Sequence, residues 1–303
     1  MPLHNDKELF EQTIMEIFEE KKIKREIIEK DYYVTMILKE LTKELPHLMF
    51  KGGTSLSKCY KLIERFSEDI DLTLEDEFTT QGQRQKVKEA IVKVCGGLGL
   101  NILNLEETRS KREFNRYKID YPSSFGTGKL KQYVYIETAF LVKSFPSEIK
   151  SATSIIYDFL KARSLDNIIA EYGLEPYDVR VQSLERTFID KLFAICDYYI
   201  TERVREHSRH FYDIYKLLPQ VRIDDKLKTL AKEVRLARQG REFCPSAADG
   251  ANLNELLLQI LDKEVYMQDY QSITVDLLFE QVTYEQTTEA LRRVIASGLF
   301  EFE

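Results

Sequence analysis

The stretch "FKGGTSLSKCYKLIERFSEDIDLTL" (residues 50–74) begins with a glycine pair and ends in an alternating, strand-like pattern. Because strand side chains alternate, Asp69, Asp71 and Thr73 share one face, and the apolar residues between them share the other. Two carboxylates about 6.6 Å apart repel each other by roughly 2–3 kcal/mol at an effective dielectric near 20. A divalent cation removes this penalty, and Mg²⁺ prefers carboxylate and phosphate oxygens. The spacing therefore favours a metal site on one strand face.

The glycine pair adds a second feature. Gly52 and Gly53 lie between a short strand pattern at 48–50 and a helical pattern that runs from Leu56 to Ile63. Backbone N–H groups at such a turn, with no Cβ in the way, can bind phosphate. Each feature has an ordinary explanation, since paired aspartates occur on solvated edge strands and glycine pairs make tight turns. Together they favour a site for a metal-bound triphosphate.

A third carboxylate is expected on a neighbouring strand. In "YVYIETAF" (133–140), Glu137 is in phase with Tyr135 and Ala139. A glutamate at this position is either an edge-strand residue or a further ligand of the metal. Both interpretations stay open on the sequence alone, and Glu75 or Asp76 would be the next candidates if Glu137 were not a ligand.

The chain as a whole has an α+β pattern. Two amphipathic helices come first, and Pro46 ends the second. Strand patterns at 101–107 and 114–120 complete a central sheet flanked by helices. A loop-like stretch, "KSFPSEIKSATS" (143–154), is the expected border. We therefore predict an α+β domain with N-terminal helices over 1–150 and a mainly helical C-terminal domain over 151–303.

Composition limits the function classes. The net charge of −7 argues against nonspecific binding of polyanions by the whole surface, although "RSKREFNRYK" (109–118) concentrates five basic residues that could meet phosphates. The chain contains no run of 18 apolar residues, and its start, "MPLHNDKELFEQ", carries acids where a signal peptide needs an apolar stretch, so we expect a cytoplasmic protein without membrane contact. Four scattered cysteines indicate neither a disulfide framework nor a zinc site.

The motif "GGTSLSKCYKLIERFSEDIDL" resembles the signature of the AbiEii/AbiGii-type nucleotidyltransferase toxins. These belong to the DNA polymerase β-like nucleotidyltransferase superfamily, together with the MenT toxins. Three further stretches resemble family motifs in the same order, and the resemblance covers residues 29–218, with nothing recognised in 219–303. They are "EKDYYVTMILKEL" (29–41), "VQSLERTFIDKLFAI" (181–195) and "SRHFYDIYKLL" (208–218).

The resemblance implies roles for individual residues. Asp69 and Asp71 would bind Mg²⁺, with Glu137 in the position of the third acid. Lys191 would hold the triphosphate and Asp213 would complete the catalytic set. The nucleotide-binding residues would be Gly52, Gly53, Thr54, Ser55, Ser67 and Lys191.

The two downstream residues also have simpler interpretations. Lys191 falls on the apolar stripe of Leu184, Phe188 and Ile195, where a lysine can pack its stem and keep its charge in water. Asp213 lies on a charged helix face that is typical of solvated salt bridges. The sequence alone does not choose between these interpretations and a catalytic role.

By resemblance, the expected activity is Mg²⁺-dependent transfer of a nucleotide from NTP to an RNA acceptor such as the 3′ end of a tRNA. The protein would be the toxin of a toxin–antitoxin system in phage defence, with an AbiEi-type antitoxin as partner. Two alternatives stay open: transfer to a protein or a small molecule, and a catalytically inactive protein that binds NTP or a partner.

Overall fold

The computed structural model describes residues 1–67, 69–74, 80–126, 128, 133–140 and 145–301. The chain forms two compact units. The first comprises Met1–Lys61 and Ser67–Val181, and the second comprises Leu62–Phe66 and Gln182–Glu303. The division into domains at residue 150 stays a prediction.

A seven-stranded mixed sheet forms the centre of the first unit, with strand order β3-β4-β5-β2-β1-β7-β6. Strand β2 lies between β1, its antiparallel neighbour, and β5, its parallel neighbour, and β4 runs antiparallel to β5. The strands are β1 (Leu48–Lys51), β2 (Asp69–Leu74), β3 (Asn101–Ile102), β4 (Phe114–Asp120), β5 (Val134–Ala139), β6 (Ser147–Ala152) and β7 (Tyr177–Gln182).

The two faces of this sheet differ in chemistry. On one face, Phe50, Ile70, Leu72 and Ile136 are all fully buried in the hydrophobic core. The alternate positions of β2 place Asp69 and Asp71 on the other face, as the sequence predicts. The helices of this unit are α1 (Lys7–Lys21), α2 (Arg25–Glu44), α3 (Gly52–Lys58), α4 (Gln81–Gly97), α5 (Ile155–Ala162) and α6 (Asp166–Glu171).

The stretch 29–41, one of the family-like motifs, has a structural explanation in this unit. Asp31 on α2 accepts a hydrogen bond from the buried Lys58 ammonium (2.5 Å) at the end of α3. Its second oxygen accepts the backbone N–H of Ile155 at the start of α5 (2.8 Å). Thr35, one turn further along α2, also lies 2.6 Å from Lys58 Nζ. One carboxylate thereby fixes the helix that follows the glycine turn.

The second unit is helical. The segment 62–66 joins it by pairing with 277–279, where Phe66 N–H donates to Leu277 O (3.0 Å) and Phe279 N–H donates to Glu64 O (2.8 Å). Its helices are α7 (Leu184–Ile200), α8 (Arg209–Leu217), α9 (Asp225–Arg238), α10 (Leu253–Asp262), α11 (Met267–Asp269) and α12 (Tyr284–Ala296). The predicted fold class, a mixed sheet flanked by helices and followed by a helical C-terminal part, is confirmed.

Three local predictions were wrong. Helix α3 ends at Lys58 instead of continuing to Ile63, and Lys61 has the left-handed φ of 54° that no helix continues through. Strand β6 lies within the stretch predicted as a loop; as the last strand of the sheet it needs few apolar residues, and only Ala152 is buried. The strand pattern at 101–107 gives two strand residues followed by a short 3₁₀ turn.

Candidate active site

The paired carboxylates belong to a row of charges across four strands. Asp71 lies opposite Lys51 of β1 on one side and opposite Glu137 of β5 on the other, and Glu137 lies opposite Arg116 of β4. Directly opposed residues share a face, so two cations flank two carboxylates. Asp69 begins the neighbouring row and lies opposite Tyr135. The sheet thus collects three acids on one partly exposed face, as predicted for Asp69, Asp71 and Glu137.

Glu137 has a cation beside it in the protein itself. Its Oε1 accepts a hydrogen bond from Arg116 Nε (2.7 Å) and lies 2.6 Å from Nη2 in the same ion pair. Partial burial would lower the pKa of Arg116, but the Glu137 carboxylate, helped by Asp69, raises it above its ordinary value. Among the described residues, no three His, Cys, Asp or Glu side chains form a group arranged to hold a metal ion. The role of Glu137 as a metal ligand therefore stays a prediction.

The glycine turn packs directly against one of the paired acids. Gly52 has a φ of +77°, and a Cβ built on it would lie 1.9 Å from Asp71 Oδ2. Both facts exclude any residue with a side chain unless the backbone or the carboxylate moves. The turn after β1 therefore lies close to the carboxylate that is proposed to bind metal, which is the combination of features that the sequence singled out.

The hydroxyl groups after the glycines hold this turn in place. The Thr54 hydroxyl donates to the backbone carbonyl of Asp69 (2.6 Å) and lies 2.9 Å from Ser67 Oγ. The Ser55 hydroxyl donates to the carbonyl of Gly52 (2.8 Å). Thr54 and Ser55 are both fully buried. In this arrangement the two side chains position the turn against β2, and their direct contact with a nucleotide stays a prediction, as it does for Gly53 and Ser67.

A second group of predicted residues meets in the helical unit. Lys191 on α7 donates to Asp213 Oδ2 on α8 at 2.6 Å. Arg65 donates two hydrogen bonds to the same carboxylate, from Nε to Oδ1 (2.7 Å) and from Nη2 to Oδ2 (2.8 Å). Arg65 is 2%, Lys191 6% and Asp213 0% exposed. Because the whole cluster is buried, Lys191 does not keep its charge in water, and Asp213 does not lie on a solvated salt-bridge face.

Burial and pairing set the protonation of this cluster. Burial would raise the pKa of Asp213, but Arg65 and Lys191 hold it well below its ordinary value. Burial lowers the pKa of Lys191, and the Asp213 carboxylate opposes this effect. His210, whose Nδ1 lies 3.9 Å from Asp213 Oδ2, has its pKa lowered to about 3 by burial, so it is neutral at pH 7. The cluster therefore carries two cations and one anion.

Two partners of the predicted residues have no local signal in the sequence. Arg65 lies inside the opening motif, but nothing in its spacing shows that it pairs with a residue 148 positions away. Arg116 lies in the basic stretch 109–118, and its pairing with Glu137 depends on the register of β4 and β5. Glu75 and Asp76, the next candidates for a third acid, lie outside the described residues. None of the helices described is both long and apolar enough to cross a bilayer.

Comparison with known families identifies the class. The family model described as "Nucleotidyl transferase AbiEii toxin, Type IV TA system" matches residues 37–295. The chain therefore belongs to this family of nucleotidyltransferase toxins of type IV toxin–antitoxin systems. The match also extends well past residue 218, where the recognised resemblance ended, so the last helices belong to the family too.

A solved structure shares the fold. MenT4, the nucleotidyltransferase toxin Rv2826c from Mycobacterium tuberculosis H37Rv, matches with a TM-score of 0.53 at 18% identity, covering 92% of this chain and 85% of that one. At this identity the likeness concerns the fold. No curated protein matches the chain.

Proposed function

We propose that this protein transfers a nucleotide from NTP to an RNA acceptor, such as the 3′ end of a tRNA, in a Mg²⁺-dependent reaction. The observation that carries the proposal is the contact between the glycine turn and the paired acids, in which Gly52 leaves no room for a side chain beside Asp71 Oδ2. A phosphate-binding turn and a metal-binding carboxylate are needed side by side to hold a metal-bound triphosphate.

The residues have the following proposed roles. Asp69 and Asp71 would hold Mg²⁺, with Glu137 as the third acid once Arg116 releases it. When bound, Mg²⁺ would offset triphosphate charge and favour the ionised form of the acceptor hydroxyl. The backbone N–H groups of Gly52 and Gly53 would bind a phosphate. These roles are supported by the position of the residues, because β2, which carries the two aspartates, is the neighbour of β1, which leads into the glycine turn, within one unit.

Lys191 is proposed to stabilise the negative charge of the leaving pyrophosphate. A buried ammonium is a strong electrostatic partner because little water screens it. Asp213 then acts as a positioning residue, since its carboxylate holds the ammonium at 2.6 Å and is itself fixed by Arg65. Without Asp213 the lowered pKa of Lys191 would fall further, and the ammonium charge would be lost more easily.

The biological setting is proposed from the family. A type IV toxin implies an antitoxin, here of the AbiEi type, and a cytoplasmic role in phage defence. Inducible expression with and without an AbiEi-type partner tests this part: toxicity should require the paired acids and should be relieved by the partner.

Incubation with each α-labelled NTP and pooled RNA tests the reaction. Label should enter RNA with Mg²⁺ and not with EDTA, and Asp69→Asn or Asp71→Asn should abolish transfer. Asp120→Asn, an equivalent change on β4, serves as the matched control and should retain activity. Label in a protein or in a small molecule would favour those acceptors, and no label with any NTP would favour an inactive binding protein.

The paired-acid variants also make a stability prediction. Each substitution removes the repulsion between the two carboxylates, but it also removes an attraction to a nearby cation, which is Lys51 for Asp71 and Arg116 for Asp69. The melting temperature in EDTA should therefore stay close to that of the wild type. A clear drop in melting temperature with loss of cooperativity would mean that the aspartates are structural.

A further inference from the structure

Aromatic and basic side chains occupy the same sheet face as the acids, on β4 and β5. Phe114 is 43% exposed, and the Arg116 side chain is 54% exposed. The Arg116 guanidinium lies 5.4 Å from the ring centroid of Tyr135, and Tyr133 contacts the same ring edge-on at 6.3 Å. Lys118 lies directly opposite Tyr135. We call Phe114, Arg116, Lys118 and Tyr135 the β4–β5 platform.

The composition of this platform fits single-stranded nucleic acid. Bases stack on exposed aromatic rings and on guanidinium planes, while lysines and arginines contact the phosphates. An exposed phenylalanine on a strand otherwise contributes little to folding, because the opposite face of the sheet carries the core. The alternation Phe114, Arg116, Lys118 brings one ring and two cations to the same face.

The position of the platform identifies which substrate it would meet. In the sheet order, β1 with its glycine turn lies on one side of β2, and β5 and β4 lie on the other. In phosphoryl transfer, the attacking and leaving oxygens are roughly in line on opposite sides of phosphorus. If the leaving pyrophosphate is held on the glycine side, the attacking hydroxyl approaches from the β5 side, one strand spacing (~4.8 Å) away.

We propose that the β4–β5 platform binds the unpaired terminal nucleotides of the RNA acceptor and presents the terminal hydroxyl to the acids. This inference rests on the proposed function, and it assigns the basic stretch at 109–118 a defined part of the substrate. Tyr135 and Phe114 stack on bases, while Arg116 and Lys118 contact the backbone phosphates.

Binding measured without chemistry tests the platform. Fluorescence anisotropy of a 5′-labelled single-stranded RNA of about ten nucleotides is followed in EDTA with the full chain. Tyr135→Ala and Phe114→Ala should each weaken RNA binding by about 10-fold or more, the usual effect of losing one base stack. Tyr135→Phe should bind like the wild type. Phe243→Ala removes a phenylalanine of similar exposure (41%) in the other unit and should also leave binding unchanged.

A second measurement distinguishes binding of the RNA acceptor from binding of the NTP. Calorimetric binding of the preferred NTP with Mg²⁺ and no RNA should be unchanged in Tyr135→Ala and Phe114→Ala. Melting curves exclude variants that fail to fold. If an alanine variant does not fold, two other variants test the platform. Tyr135→Phe should keep the RNA affinity of the wild type, and Lys118→Ala should reduce the salt dependence of RNA binding.

Each of the following outcomes would contradict the proposed role of the platform. Weaker NTP binding with unchanged RNA binding would make it a site for the NTP base. Unchanged binding of both would leave the rings without a role in substrate recognition. If the wild type transfers label to RNA while the alanine variants bind RNA normally, the proposed function stands and the platform fails; if the wild type neither binds nor labels RNA, both fail.

Discussion

The buried cluster of Arg65, Lys191 and Asp213 allows a quantitative prediction. With two cations and one anion its net charge is +1, and all three side chains are almost fully buried. Asp213→Asn raises the net charge to +2 and leaves two buried cations without a counterion, which typically costs about 3–5 kcal/mol of unfolding free energy. Lys191→Met lowers it to zero and leaves Asp213 bound by Arg65 through two hydrogen bonds, so we expect a smaller loss of about 1–3 kcal/mol.

The pH dependence of Asp213→Asn follows from linkage. The carboxylate opposes the lowering of the Lys191 pKa by burial, so without it this pKa falls further. When folded Lys191 is neutral and unfolded Lys191 is charged, the unfolded state binds one more proton, and stability rises with pH. Between pH 7 and 9 the variant should therefore gain up to about 1.4 kcal/mol per pH unit relative to the wild type.

Calorimetric melting at pH 7 and pH 9 measures both effects. At roughly 3 °C per kcal/mol, Asp213→Asn should lower the melting temperature of the helical unit by about 9–15 °C at pH 7. The double variant with Lys191→Met has the wild-type net charge, so it should melt closer to the wild type than Asp213→Asn does. A larger loss for Lys191→Met than for Asp213→Asn, or no pH-dependent recovery, would refute the charge argument.

The same proteins test the proposed catalytic role of Lys191. If its ammonium stabilises the leaving pyrophosphate, Lys191→Met should lower kcat by about 100- to 1,000-fold, measured as single-turnover incorporation of labelled NTP. Melting curves at the assay temperature confirm that the variant is folded. Wild-type incorporation by the folded variant would remove Lys191 from the catalytic set.

Much of the sheet that carries the candidate site could be predicted because its signals are local. Period-two alternation alone placed Asp69 and Asp71 on one face of β2, and the predicted strand at 69–74 coincides with the observed one. The phase of Glu137 also placed it on the same side as the paired acids, which the register of β5 against β2 bears out. Each of these predictions needs only the alternation along a strand and the adjacency of two strands.

The partners of the charged residues could not be predicted, since they depend on contacts between distant parts of the chain. From the sequence, Lys191 is expected to be an amphipathic lysine at the edge of an apolar stripe, and only the structure places Asp213 and Arg65 beside it. The difference between a snorkelling lysine and a buried ion pair is decided by which helix covers the stripe, and helical periodicity carries no information about that. Arg116 is similar, because a one-residue slip of β4 would turn it to the other face of the sheet.

Three further predictions concern single side chains. Glu137→Gln should raise the Mg²⁺ concentration needed for activity, whereas Arg116→Gln, which breaks the same ion pair but keeps the acid, should not; an unchanged requirement would move the third acid to Glu75 or Asp76. His210→Gln should reduce the loss of stability as the pH falls from about 6.5 towards 3. In this range the unfolded state binds a proton that folded His210, with its pKa of about 3, does not bind. The free energy of unfolding, measured by urea titration at several pH values, would contradict this if it fell equally steeply in the variant and the wild type. Gly52→Ala should abolish transfer and destabilise the fold.

Gly99→Ala is the matched control for Gly52→Ala. Both glycines have a left-handed φ, +77° and +70°, so both alanines carry the conformational cost of about 1 kcal/mol. A Cβ on Gly99 meets nothing within 4 Å, whereas one on Gly52 would overlap Asp71 Oδ2 at 1.9 Å. Gly52→Ala should therefore lose more stability than Gly99→Ala, and it alone should lose activity. In an Asp71→Ala background the nearest remaining Asp71 atom is Cβ at 3.2 Å, which is still a tight contact, so the excess cost of Gly52→Ala over Gly99→Ala should become smaller without vanishing. Equal costs in the wild-type background, with activity retained by Gly52→Ala, would show that the turn does not constrain the carboxylate.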